Sequence, residues 1–356
     1  MELTTKNYFV SSLILLFLFF VATIPFHPQG PGLISRKFDV TVARENHNPN
    51  ITRFSDKLEE ALFRASTKDK TVIITIVNKA YVEQYHDQYP TMFDIFLEGF
   101  WVGEETQSLL NHLLVVSMDQ TAYNRCIFRR LNCYRLTTKG VDFGEEKLYM
   151  SEDFITMMWA RTGFLLNVLK RGYNFIFTDT DVIWLRDPFP ILKNFNETND
   201  LLISTDRFKG NPRSTKNRIN TGFYYVTSNN KTIALFETWY GRRTNSTGMK
   251  EQDVLEGLIA EGTATNKLGL TLRFLDTLYF SGFCRNSNDV RKVITVHANC
   301  CKTIGAKVSD LTKVIRDWKM FINQYSRDPV AYNISEFKWS VYDACRKSWK
   351  LPPPSS

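Results

Sequence analysis

The stretch FIFTDTDVIWLRDP, Phe175–Pro188, decides the fold. An apolar run, Phe175–Phe177, delivers two carboxylates, Asp179 and Asp181, and a second apolar run, Val182–Trp184, follows at once. Whether the chain turns after Thr178 or keeps strand alternation, both carboxylates come within reach of one point. Neighbouring carboxylates repel, and burial penalises the charge on each. A divalent cation relieves both effects and can bridge to diphosphate oxygens. Oxygen-rich ligation suits Mn2+ or Mg2+. A bare Asp-x-Asp is common, and an acidic turn after a strand is the plain alternative. The apolar residues on both sides argue against a mere surface turn, while Asp187, just before Pro188, reads as a turn residue.

Before this segment, Glu152–Lys170 has the clearest helical pattern, with Ser151 as N-cap, Glu152 and Asp153 in the first turn and Gly172 beyond the end. Continuous β-branched and aliphatic runs at Thr71–Val77 and Leu113–Met118 suit strands buried on both faces. A short strand is expected near Tyr134–Leu136, and later ones at Asn174–Thr178, Leu201–Ser204, Gly222–Thr227, Thr271–Leu275 and Val293–Val296. Further helices are expected at about 90–111 and at Thr232–Tyr240, Gln252–Glu261 and Leu311–Tyr325. This alternation predicts an α/β fold, a Rossmann-like, mostly parallel sheet flanked by helices. Ligands of such sheets bind at the carboxyl ends of the strands. Here those ends present Asn78, Asp119, Asp179–Asp181 and His297. No GxGxxG or GxxxxGK[ST] phosphate loop is present, and no GxSxG elbow or HExxH pair supports a hydrolase.

The 356-residue chain is 43% hydrophobic, enough for a sizeable core. Its formal charge of +8 comes without a nucleic-acid motif, so no nucleic-acid partner is expected. Residues Tyr8–Ile24 carry no charge and read as an uncleaved type II anchor, with 1–7 cytosolic; a cleaved signal peptide is the alternative. Either delivers the rest of the chain to the secretory pathway. Residues 25–66 read as a Pro- and Gly-bearing stem, with helical spacing at 53–66, and 67–350 as the catalytic domain. Sequons begin at Asn50, Asn196, Asn230, Asn245 and Asn333. Six cysteines allow up to three disulfides, with Cys126 and Cys133 close enough for a local loop.

Taken together, SEDFITMMWARTGFLLNVLKRGYNFIFTDTDVIWLRDP, INTGFYYV, EQDVL and VITVHANCC resemble the plant nucleotide-diphospho-sugar transferases grouped as glycosyltransferase family 77. The resemblance runs from about Leu109 to Asp310 and loosely back to Thr71. It implies a GT-A fold, a nucleotide-sugar donor, a glycan or glycoprotein acceptor, a divalent metal, retention of anomeric configuration and residence in the Golgi membrane, alone or associated with other Golgi transferases. Residue by residue, it implies Asp179, Asp181 and His297 as metal ligands, with Asp179 facing either metal or ribose. An imidazole beside two carboxylates favours Mn2+. Arg161 matches a basic residue that contacts the donor, or else pairs with a nearby Asp to order the metal site. Asn220 and Gly222 would line the donor sugar, and Gln252 and Asp253 would face the transferring sugar, although this chain reads Gln-Asp where related retaining families often read Asp-Gln. Helix-terminus charge accounts for Glu251, Gln252 and Asp253 equally simply. Asn78 and Asp119 would meet base or ribose, or act as caps. The competing functional reading is a lumenal GT-A-fold binding or assembly partner without turnover. A two-metal phosphatase or nuclease would need more clustered carboxylates.

Overall fold

Alternate residues of strand β1 (Thr71–Val77) enter two different cores. Val72 and Ile74 join one apolar cluster, Ile73 and Val77 another, and each of the four is buried. Strands β2 (Leu113–Ser117) and β4 (Asn174–Thr178) divide in the same way, with Leu114, Val116, Phe175 and Phe177 on the first side and Leu113, Val115 and Ile176 on the second. A sheet covered on both faces needs strands that are apolar throughout, which is the pattern of these runs. The computed structural model describes residues 54–83, 90–137, 143–147, 150–196, 199–327 and 337–350.

With β3 (Asn132–Arg135), β6 (Leu201–Thr205), β7 (Ile219–Val226) and β8 (Leu272–Phe274), these strands form a seven-stranded sheet in the order β3-β2-β1-β4-β7-β6-β8. Only β7 runs against the rest. The sheet is therefore mixed and mostly parallel, as expected of a GT-A-like fold. From β1 the chain builds β2 and β3 on one side, then returns to place β4 on the other. That reversal opens a crevice at the carboxyl ends of β1 and β4, the usual ligand position of such sheets.

A second sheet has the order β5-β10-β9, from β5 (Val182–Trp184), β9 (Phe280–Gly282) and β10 (Thr295–His297). It rests on the helix Ile304–Arg327 through Ile183, Val296, Leu311 and Trp318. Trp184 joins the two sheets. Its ring packs on Phe100 and Phe223 at centroid distances of 4.9 and 5.6 Å, and its Nε1 donates to Thr178 Oγ1 at 3.1 Å. The acidic turn between β4 and β5 is thus held from behind by a fully buried indole.

Several expectations shift. His297 ends β10 rather than following a strand at 293–296, because its pairing with Val182 extends the ladder. The helix expected at Leu311 starts at Ile304, and the strand expected at 134–136 is Asn132–Arg135. Helices Lys79–Val82, Gln120–Phe128 and Phe189–Asn196 lacked a decisive apolar period. Asp119 caps the second of these at Ala122 N, and Cys126–Cys133 closes it onto β3. The residues assigned to the end of the stem include the helix Lys57–Ala65, whose Leu58, Ala61, Leu62 and Ala65 are part of the first core. The expected anchor, Tyr8–Ile24, lies outside the described residues, among which no helix is long and apolar enough to cross a membrane. Disulfides also join Cys284 to Cys300 and Cys301 to Cys345. Of the sequon asparagines, Asn230 and Asn245 are exposed, and the side chains of Asn50, Asn196 and Asn333 lie outside the described residues.

Candidate active site

Strand pairing brings the acidic turn to its partners. Beyond the last β4–β7 pair, Thr178 with Phe223, Asp179 N donates to Gly222 O at 2.8 Å, which lays Asn220–Gly222 along the turn. On the other side, His297 pairs with Val182, and Ala298 N donates to Asp181 O at 2.9 Å. Ligand atoms of Asp179, Asp181 and His297 consequently lie within 4.8 Å of one another. His297 Nε2 is 3.2 Å from Asp181 Oδ1. Gly222 makes room for this group: a Cβ there would overlap His297 Cε1 and stand 3.0 Å from Asp179 Oδ2. Two carboxylates and an imidazole in a cradle that excludes even a methyl group fit one divalent ion of the Mn2+ or Mg2+ kind.

Two cations sit behind the carboxylates. Arg161, buried on the helix Glu152–Lys170, donates from Nη1 to Asp179 Oδ1 at 3.0 Å and from Nη2 to Thr221 Oγ1 and Glu251 Oε1. Lys307, in the first turn of Ile304–Arg327, places Nζ 2.8 Å from Asp181 Oδ2. Burial works against the charge on Asp181, but Lys307 and His297 outweigh it and hold the carboxyl well below the usual carboxylate range. For Asp179 burial prevails over the attraction of Arg161, the Asp181 charge adds to it, and the carboxyl is pushed up. Burial opposes the His297 charge, yet Asp181 more than compensates and raises it. The opposite shifts follow from two like charges sharing one buried place with unequal cationic partners. Asp179, with 36% of its side chain exposed, is the more open of the two.

The cluster lies in a cavity of about 290 Å³ at the strand ends. Asn78, Arg161, Asn220, Gly222 and Gln252 line it as expected. Asn78 Nδ2 donates to Phe143 O and Glu145 O at 2.6 and 3.2 Å and so fixes the 143–147 loop. Asn220 Oδ1 accepts from Gly222 N at 2.8 Å. Gln252 Oε1 accepts from Thr221 N at 3.1 Å. Arg161 pairs with Asp179, the contact that the second of its two expected roles requires.

Two expected residues are placed elsewhere. Asp119 is not among the lining residues; it caps Gln120–Phe128 and accepts from Lys79 N at 2.6 Å. Asp253 also falls outside the lining, because the first turn of Glu251–Ala260 directs Glu251 and Gln252 inward instead. Glu251 is buried, and its Oε2 has no partner among the described residues. Sequence reasoning gave no role to Lys307, Tyr81, Asp206 or Asn299, all of which line the cavity. Asp206 Oδ1 accepts from Asn220 Nδ2 at 2.9 Å and from Asn299 Nδ2 at 2.8 Å, tying the end of β6 to the His297 loop. A signal for Lys307 did exist: a cation one residue from Val308 and three from Ile304, beside the apolar stripe of a helix ten residues after His297.

A crevice at a topological switch point, floored by carboxylates, an imidazole and two cations, suits an anionic ligand held through a divalent cation. The chain belongs to the nucleotide-diphospho-sugar transferase family, whose match covers residues 108–311. It is 53% identical over 296 residues to an uncharacterized protein of Arabidopsis thaliana, covering 83% of this chain and 84% of that one. It is 25% identical over 259 residues to a beta-arabinofuranosyltransferase of the same plant, covering 69% of this chain and 45% of that one. Mouse xyloside xylosyltransferase 1 aligns at 13% identity with a TM-score of 0.39, over 65% of this chain and 98% of that one, too loose a likeness to bear on this chain. The chain is a nucleotide-sugar glycosyltransferase.

Proposed function

We propose that this enzyme transfers a sugar from a UDP-pentose or UDP-galactose to a hydroxyl of a polysaccharide or glycoprotein, with retention of configuration, in the Golgi lumen behind its N-terminal anchor. The observation that carries the reading is the convergence of Asp179, Asp181 and His297 in the strand-end cavity. These residues would hold Mn2+ or Mg2+, which when bound neutralises the departing diphosphate. Lys307 favours the charged form of Asp181, Arg161 opposes the effect of burial on Asp179, and both would add positive charge near the leaving group. In the transfer, the bond from the anomeric carbon to the β-phosphate oxygen breaks and its electron pair stays on the phosphate. The acceptor oxygen bonds to the anomeric carbon from the same face, and its proton passes to a phosphate oxygen. Gln252 and Glu251 border the space in which the sugar would sit. Arabidopsis relatives support a pentose: one is the beta-arabinofuranosyltransferase above, and another is named a UDP-D-xylose:L-fucose alpha-1,3-D-xylosyltransferase, 27% identical over 126 residues.

The test uses residues 50–356 secreted from a eukaryotic host. Release of UDP from UDP-arabinofuranose, UDP-xylose and UDP-galactose is measured with Mn2+ and with EDTA. Faster Mn2+-dependent release from one sugar is expected and would name the donor. Calorimetry showing no UDP binding with Mn2+ present would overturn the reading in favour of a lumenal partner without turnover.

A further inference from the structure

One large side chain at the cavity has no part in the metal cluster. Trp349 lines the opening yet is 51% exposed, a position in which a bulky apolar surface remains wet unless a ligand covers it. It is not a loose side chain. Its Nε1 donates to Cys300 O at 2.7 Å, so the polar edge of the indole is satisfied and the ring orientation fixed. The backbone beneath it is tied down as well: Cys301 is bridged to Cys345, and Lys302 N donates to Ser348 Oγ at 3.1 Å. Cys300, whose carbonyl holds the indole, adopts φ +57°, a left-handed conformation that costs a non-glycine residue energy and persists only where its surroundings impose it. Lys302 Nζ lies over one face of the indole, 4.6 Å from its centroid. The same segment begins at His297, so the platform and the metal cluster share one short stretch of backbone.

A fixed, half-exposed indole with an ammonium group over one of its faces can offer the opposite face to a sugar ring. The C–H face of the sugar covers that opposite face. A diphosphate is drawn to the buried cluster at the cavity floor, and Val77 and Met118 provide an apolar strand-end wall for a base. An acceptor glycan must enter from solvent, across the rim. We propose that Trp349, with Lys302, is the platform on which the acceptor sugar stacks, and that the Cys301–Cys345 bridge makes this C-terminal segment part of the transfer site. This inference rests on the transferase reading above and adds the acceptor subsite to it. Pre-organisation is the reason for the bridge, since a platform already ordered costs less to bind.

The experiment compares wild type, Trp349→Ala and Trp349→Phe. Affinity for UDP is measured by calorimetry in Mn2+. Transfer is measured from the preferred UDP-sugar to methyl glycosides of fucose, galactose and arabinofuranose. The Ala variant is expected to raise the acceptor KM by about tenfold or more, the Phe variant to restore most of the loss, and the UDP affinity of both to stay within about twofold. An unchanged acceptor KM in Trp349→Ala overturns the proposal. So does a parallel loss of UDP affinity, which would assign the indole to the nucleotide. Failure of the wild type to bind UDP would instead remove the transferase reading beneath it.

Discussion

The helix Ile304–Arg327 buries charge at two places, and the two differ in kind. Its first turn sends Lys307 to Asp181, in a cluster where Asp179 lies alongside and where Glu251 Oε2 and Arg161 Nε have no partner among the described residues. Farther along, Asp310 and Asp317 are as deeply buried, but each carboxylate oxygen is used. Asp310 accepts from Lys313 Nζ and from Cys345 N, both at 2.8 Å. Asp317 accepts from Ser340 N at 2.7 Å and Ser340 Oγ at 2.9 Å. Burial alone therefore does not mark a functional acid. What separates the regions is satisfaction: the second pair clamps the C-terminal segment and has nothing left to bind, whereas the first holds like charges together with capacity to spare.

Substitutions in both regions put this contrast to the test. Asp181→Asn keeps shape and lets the amide oxygen still accept from Lys307, but removes a ligand charge. UDP-sugar turnover is expected to fall by roughly a hundredfold or more, and the melting temperature to fall as well, because Lys307 loses the charge it faces. Retained turnover would mean that the acidic turn is structural after all. Gly222→Ala inserts a methyl group against His297 and Asp179. Calorimetry should show Mn2+ affinity lowered about 10–100-fold, the range seen when groups that orient metal ligands are disturbed.

In the satisfied region stability alone is expected to change. Asp310→Ala strands the Cys345 N–H, costing about 1–3 kcal/mol of stability in a denaturant melt, with metal affinity unchanged. Asp94, on the helix Met92–Val102, sharpens the same point through pH. Burial opposes its charge, but Thr91, Arg125 and Arg129 outweigh it and hold the carboxyl below the ordinary 3.8. Its folded pKa is thus the lower one, so the stability it contributes is present above the unfolded pKa and is lost as pH falls through the folded value, below about pH 4. Asp94→Asn should make the acid limb of the stability curve shallower by a small, measurable amount.

Much of the site was legible in the chain. Asp179 and Asp181 end an apolar run, and Asn78 ends another, so strand ends alone bring them to the same edge of a parallel sheet. His297 was legible for the same reason, although its strand begins two residues later, and ends one later, than its apolar pattern suggested. Asp119 and Asp253 lie outside the cavity lining at helix starts, where a carboxylate serves equally as cap or as ligand and no spacing separates the two uses. Lys307, Asp206 and Trp349 reach the cavity from segments with no motif of their own.

The sequence by itself determined the alternation of buried strands and helices, the acidic turn and the family, because these are written in local runs of apolar and acidic residues. The tertiary structure decided which side chains meet there. The reversed strand β7 carries Gly222 to Asp179, β10 pairs His297 with Val182, and a disulfide holds Trp349 at the rim. Those contacts depend on register and crossing between distant segments, and hydrophobic period along one segment contains no information about which other segment it will meet.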